Sequence, residues 1–215
     1  MSDLRLYDYW RSSASYRVRI ALGLAGLDWD SVPVDLMNGA NRGDAHLKRN
    51  PQGLVPVLEI DEVSLTQSLA IVEYLDETRA LGLLPASAVD RAQVRALSYA
   101  IAMEIHPVCN LRVAGFAVAH SGGTLSMQDW MQEFVTHGLT AFEAMLGQGR
   151  YCFGDRVTLA DLCLMPQLYN ARRWEVDLGP MPKIRAIEAE LAKIPAFERA
   201  HPDRWGGRSF NDHVP

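Results

Sequence analysis

Two hydrophobic periods divide this chain near residue 80, and that switch limits its fold more than any other feature. Residues 4–9, 29–34, 55–60 and 63–66 are short apolar runs of strand length, bounded by turn-forming residues. Residues 15–25 instead carry Val18, Ala21, Leu22 and Ala25 at helical spacing, on an amphipathic pattern that Gly26 stops. Asp61-Glu62 reads as the turn between the last two strands, and Ser68 reads as the cap of a helix through Ile71, Val72 and Leu75. Residues 37–50 are polar with no clear period, and read as a loop or irregular helix. The order β-α-β-(loop)-β-β-α is satisfied most economically by a thioredoxin-like α/β layer. Pro56 reads as a trans proline at a strand start, since cis forms make up only about 5–6% of X–Pro bonds.

Beyond a linker at residues 81–87 the pattern is almost wholly helical, over 88–119, 126–146, 158–173 and 181–193, with a short turn at 195–200. This gives two expected domains, residues 1–80 and 88–215. Pro107 should kink the first of these helices. Thr158 and Asp161 have the spacing of a capping box, which is a folding signal. The tail after Asp203 lacks a period and reads as loosely held.

Bulk properties exclude several functions. The net charge is −5 with scattered basic residues, which favours neither nucleic acid nor an anionic membrane. No apolar run is long enough to span a bilayer and no signal peptide is evident. Cys109, Cys152 and Cys163 are odd in number and lack metal or CxxC spacing, so a cytoplasmic setting is expected. His120, His137, His201 and His213 show no metal spacing, and no dinucleotide or P-loop fingerprint is present.

The chemistry concentrates where the first strand meets the first helix, at residues 10–22. Ser12, Ser13 and Ser15 sit there with Arg11 and Arg17. A helix N-terminus favours an anion through its free N–H groups and its dipole. A serine hydroxyl can cap the helix or donate to a thiolate, and an arginine can grip a carboxylate. The combination points to an anionic sulfur nucleophile acting on an anionic substrate.

Residues 11–19 resemble the SSCxxR signature of zeta-class glutathione transferases, the class that includes maleylacetoacetate and maleylpyruvate isomerases. The resemblance continues through residues 50–56, 67–75, 154–163 and 171–178, in the right order. It implies the glutathione transferase fold: an α/β thioredoxin-like N-terminal domain followed by an all-α C-terminal domain. It also implies a homodimer, glutathione as cofactor, and a small dicarboxylate as substrate. Carried over residue by residue, it makes Ser12 the hydroxyl that donates to the glutathione thiolate, with Ser13 as substitute or support. Val55 would pair its backbone with the peptide, while Gln67 and Ser68 would receive the γ-glutamyl carboxylate. His106 and Asn110 would contact glutathione, although a lone histidine is equally read as structural. Arg11, Arg112 and Arg173 would hold substrate carboxylates, with Arg172 left to solvent. The implied reaction is glutathione-dependent cis–trans isomerisation of a maleyl keto diacid by reversible thiolate addition. Two alternatives stay open: a transferase that conjugates or dehalogenates small α-haloacids, and a non-enzymatic interaction module of the same fold. Ala14 replaces the usual cysteine of the signature, so the nucleophile cannot be an enzyme thiol at that position.

Overall fold

A computed structural model describes residues 4–206. By their contacts these fall into two units, one formed by the residues up to Gly82 together with those from Ile194 on, the other by Leu83–Lys193.

In the first unit, strands β1 (Arg5–Asp8), β2 (Asp30–Pro33), β3 (Val57–Ile60) and β4 (Val63–Thr66) form one sheet in the order β2-β1-β3-β4. β1 runs parallel to β2, and the other two pairs are antiparallel. The parallel pair is linked through helix α1 (Ser13–Leu24), as a parallel connection requires. The stretch expected as loop or irregular helix holds a 3-10 turn, Ala40–Arg42, and helix α2 (Asp44–Arg49). Helix α3 (Ser68–Arg79) follows β4 and packs on α1. The Asp61-Glu62 turn joins β3 to β4 with both residues at positive φ, 50° and 65°.

Three expectations change here. First, α1 is not amphipathic in its setting, because every residue from Ser15 to Leu22 is buried, Arg17 and Arg19 included. Helix α10 (Pro195–Ala200), which the sequence reading placed with the helical domain, packs on α1 and supplies the Ala200 carbonyl to Arg19. The approach is close: a Cβ on Gly23 would lie 3.1 Å from the Ala196 Cβ. Second, the Val55–Pro56 bond is cis, a form the tertiary amide of proline tolerates. Third, the chain after Asp203 is anchored as far as it is described. Trp205 is buried, stacks on Trp29 at 5.2 Å, and donates from its indole nitrogen to the Arg199 carbonyl at 2.9 Å. Residues 207–215, His213 among them, lie outside the described residues.

One buried ion pair ties these pieces together. The Arg19 side chain is fully buried and that of Asp8 is 5% exposed. NH1 of Arg19 donates to Asp8 at 2.5 Å, NH2 to the Trp10 carbonyl at 2.9 Å, and Nε to the Ala200 carbonyl at 3.1 Å. Ser31 Oγ donates to the other Asp8 oxygen at 3.1 Å.

In the second unit, the expected long first helix is three pieces. α4 (Ala88–Tyr99) passes into a π-helical segment, Ala100–Ile105, and then into the short α5 (His106–Val108). Pro107 lacks the N–H that would continue the regular ladder, and such breaks widen or kink a helix. α6 (Leu111–Ala119) then restarts on Asn110 as its cap. α7 (Met127–Met145), α8 (Leu159–Arg173) and α9 (Pro182–Leu191) complete the unit. Gly138 on α7 lets the π segment approach, since a Cβ there would fall within 2.5 Å of the Ile105 side chain. At the start of α8 the Asp161 carboxylate accepts from the Thr158 N–H at 2.7 Å, the Thr158 hydroxyl at 2.9 Å and the Cys152 N–H at 2.9 Å. Burial pushes this carboxyl upward in pKa, while those donors pull it back.

Two stability outcomes follow. Arg19→Met strands a buried carboxylate and should cost about 3–5 kcal/mol by urea denaturation. Adding Asp8→Asn should recover part of that loss, and equal midpoints for the single and double variants would remove the ion pair as its source. Asp161→Ala leaves three buried donors unmatched and should lower stability by about 2–4 kcal/mol; a midpoint unchanged from the parent would contradict this.

Candidate active site

Sheet register gathers three loops at one end of the first unit. Tyr7 pairs with Val57, and Val57 with Thr66. Past this row β1 leads into the turn holding Tyr9, Trp10, Arg11 and Ser12. β3 begins just after Val55-Pro56, and β4 ends just before Gln67-Ser68. The sequence-predicted residues Arg11, Ser12, Ser13, Val55, Gln67 and Ser68 therefore all leave the sheet at the same end.

Ser12 is both cap and candidate donor. It is the N-cap of α1, and its Oγ accepts from the Ser15 N–H at 3.2 Å. A hydroxyl has one proton and two lone pairs, so capping uses a lone pair and leaves the proton. That proton meets no acceptor among the described residues. The Ala14 N–H is likewise without a partner among them, which leaves an anion-attracting helix end beside the hydroxyl. Ser13 is the first helical residue and half-buried.

The start of α3 differs from expectation. Gln67, not Ser68, is the cap, with φ 68° and no capping side-chain bond. A positive φ at a non-glycine residue costs about 1–3 kcal/mol and persists where its surroundings impose it. Ser68 is buried in the first turn, and its Oγ accepts from Arg17 NH1 at 3.2 Å, which links α1 to α3. The N–H groups of residues 68–70 therefore have no hydrogen-bond partner among the described residues. Gln67 Nε2 donates to Gln52 Oε1 at 2.7 Å.

Val55 packs its side chain against Tyr7, Val34 and Val57. Its N–H and C=O have no partner among the described residues, so the backbone is open to a strand-like peptide. The approach to it is pinned: Asn50 Nδ2 donates to the Leu54 carbonyl at 2.9 Å, His46 Nε2 lies 2.9 Å from the same oxygen, and Asn41 Nδ2 donates to the Gly53 carbonyl at 2.7 Å. Open N–H groups, an open extended edge and an uncommitted hydroxyl proton match the carboxylate, backbone and thiol of a glutathione-like tripeptide.

Arg11 NH2 donates to the Tyr9 hydroxyl at 2.9 Å. No carboxylate pairs with it among the described residues.

The remaining predicted residues belong to the second unit. His106 opens α5 and is half-buried. Asn110 Oδ1 accepts from the Arg112 N–H at 3.1 Å, which leaves its amide donors uncommitted among the described residues. Arg112 is exposed, with no side-chain partner among the described residues. Arg173 is exposed at the end of α8, 4.9 Å from the Trp174 ring centroid. Arg172, expected to be solvated, is exposed but bonds to Glu188 at 2.5 and 3.1 Å.

The chain's own thiols are poor nucleophiles. All three cysteines are buried and none is in a disulfide. Burial pushes Cys109 up to about 11, and burial is also the largest cause raising Cys152 well above the usual thiol range. Among the described residues no three His, Cys, Asp or Glu side chains are grouped to hold a metal ion, and no helix is long and apolar enough to cross a membrane.

The comparisons agree on one family. Residues 2–77 match the glutathione S-transferase N-terminal domain, and residues 126–201 match the glutathione S-transferase C-terminal domain. Maleylacetoacetate isomerase of Rhizobium meliloti (strain 1021) is 62% identical over 204 residues, which is 93% of this chain and 96% of the relative. The holo structure of a maleyl pyruvate isomerase, a bacterial zeta-class glutathione S-transferase, superposes with a TM-score of 0.89 at 40% identity, over 95% of this chain and all of that one. A maleylacetoacetate isomerase from Anaeromyxobacter dehalogenans 2CP-1, with dicarboxyethyl glutathione and citrate in its active site, gives a TM-score of 0.83 at 40% identity, over 99% and 98% of the two chains. The chain joins a thioredoxin-like sheet to a helical domain and belongs to the zeta-class glutathione transferase family, of the maleylacetoacetate and maleylpyruvate isomerase type.

Proposed function

We propose that this protein is a glutathione-dependent cis–trans isomerase of a maleyl keto diacid, with maleylacetoacetate as the preferred substrate. The observation that carries the reading is the Ser12 hydroxyl, whose cap bond leaves its proton uncommitted, at the end of the sheet where the open Val55 backbone and the bare start of α3 also lie. The 62% identity to a maleylacetoacetate isomerase supports the substrate choice. The dicarboxyethyl glutathione bound by another relative supports the chemistry, since that molecule is a thioether of glutathione sulfur with a dicarboxylic chain.

When bound, glutathione supplies a thiolate that adds reversibly to the activated cis double bond, so that the carbons turn about a single bond before the sulfur departs. The chain's task is to hold and orient. Ser12 donates its proton to the sulfur and lowers the thiol pKa, because a donor to the charged form favours that form. The start of α1 adds its dipole. The N–H groups of residues 68–70 take a carboxylate, with the Gln67 side chain beside them. Arg11 grips a substrate carboxylate end-on and stabilises charge that develops on the conjugated carbonyl. The same reading keeps Ser13 as support, His106 and Asn110 as glutathione contacts, and Arg112 and Arg173 as further carboxylate ligands. A homodimer, on the resemblance, a cytoplasmic setting, on the cysteine usage, and a helical domain beginning at residue 88, on the helical period, remain part of the proposal; light scattering against the 23.9 kDa chain tests the dimer.

Steady-state kinetics with maleylacetoacetate and maleylpyruvate, with and without glutathione, test the reading. Fumaryl product should form with no net loss of glutathione, and kcat/KM should be higher for maleylacetoacetate. Stoichiometric glutathione consumption without trans product would favour a conjugating transferase instead, and failure to bind glutathione in calorimetry would favour the interaction module. Ser12→Ala should reduce thiolate absorbance of the glutathione complex at neutral pH and lower turnover by about 10²–10³-fold, the scale of losing one preorganised donor. Its rate profile should shift to higher pH, since the thiol then ionises later. An unshifted profile would transfer the activating role to Ser13 or to the helix end.

A further inference from the structure

Trp10 has no part in the reading above, yet it is held from several sides. Its carbonyl accepts from the buried Arg19 at 2.9 Å. Its indole is backed by Gly206, where a Cβ would come within 3.1 Å of the Cε3 and Cζ3 atoms. Gly206 follows directly on Trp205, which is buried and stacked on Trp29 with ring planes 11° apart. Trp10 in turn faces Arg11, whose guanidinium carbon lies 4.8 Å from the ring centroid. Tyr9 adds a second, longer ring contact at 5.8 Å and the hydroxyl acceptor at 2.9 Å. Arg11 Nε is buried without a hydrogen-bond partner among the described residues, so the guanidinium is anchored by its face and one donor.

We propose that Trp10 is a positioning residue for Arg11, and that the Trp205–Gly206 segment buttresses it. A carboxylate partner would also hold Arg11, but it would occupy the in-plane donors that a substrate needs. A stacked ring holds the cation by its face; with one NH2 proton on the Tyr9 hydroxyl, the NH1 protons and the second NH2 proton stay uncommitted among the described residues and can meet a carboxylate. An unheld arginine gives up its rotamer freedom when it binds, whereas a stacked one has given it up beforehand. The inference rests on Arg11 as a substrate ligand.

The experiment is a double-mutant cycle on the full chain, with the keto diacid varied at saturating glutathione. Trp10→Leu should raise KM for the diacid by about 2- to 30-fold, the range of cation–π contacts, and leave KM for glutathione unchanged. Trp10→Phe, which keeps a π face, should restore most of the loss. Gly206→Ala displaces the ring by a few tenths of an ångström without removing it, and should raise KM in the same direction. Binding of succinate, a dicarboxylate that cannot isomerise, should weaken in parallel when followed by calorimetry. In an Arg11→Leu background, Trp10→Leu should add nothing. If Arg11→Leu itself leaves the diacid KM unchanged, the assignment of Arg11 fails. If Arg11→Leu raises KM while Trp10→Leu does not, or if Trp10→Leu has the same effect with Arg11 absent, the positioning role is overturned. Should Trp10→Leu fail to fold, Trp10→Phe and Gly206→Ala carry the test: an unchanged KM in Gly206→Ala then counts against the buttress.

Discussion

A single buried guanidinium sets the shape of the reactive turn. Arg19 spends each of its three nitrogens on a different part of the chain: the Asp8 carboxylate at the end of β1, the Trp10 carbonyl in the turn, and the Ala200 carbonyl at the end of α10. The Tyr16 and Trp205 rings lie 5.6 Å from the guanidinium carbon. A charge placed this deep is tolerable only when its partners are met in full, so the position of each is strongly specified. The turn of Tyr9, Trp10 and Arg11 into Ser12 starts directly after one of those partners, Asp8, and contains another, Trp10. The path of that turn is thus decided by a residue seven positions further along the helix.

The two ways to read Ser12, as helix cap and as thiol donor, are one arrangement. Capping engages an oxygen lone pair and fixes the side-chain rotamer, while the hydroxyl proton stays uncommitted. A similar economy holds at α3, where the strained Gln67 caps with no side chain and leaves the first N–H groups bare. Ordinary folding rules would close both ends. Their openness is what the proposed binding of an anionic tripeptide would use, and Arg17 binds the two helices to each other by donating to Ser68.

Much of this was legible in the sequence because it depends on local pattern. The order of strands and helices, the turn at residues 61–62, the capping box of Thr158 and Asp161, and a break near Pro107 all come from periods and residue chemistry within a few positions. The candidate residues of the first unit came from the family motifs at residues 11–19, 50–56 and 67–75, and the register Tyr7–Val57–Thr66 brings those three segments to one end of the sheet. What escaped was long-range. Nothing local signals that Arg19 is buried and meets the Ala200 carbonyl of α10, 181 residues further along the chain. Ser68 read as a cap, because its actual partner, Arg17, lies 51 residues earlier.

By itself, the sequence determined the element order, the placing of serines and arginines at a helix start, and the lack of a cysteine at Ala14, which excludes an enzyme thiol at that position. Only the tertiary structure decided which donors remain free, which arginine is spent internally and which faces outward. Whether Arg11 or Arg19 is spent on internal partners depends on burial and on groups distant in the chain. Those are properties of packing, which local propensity does not encode.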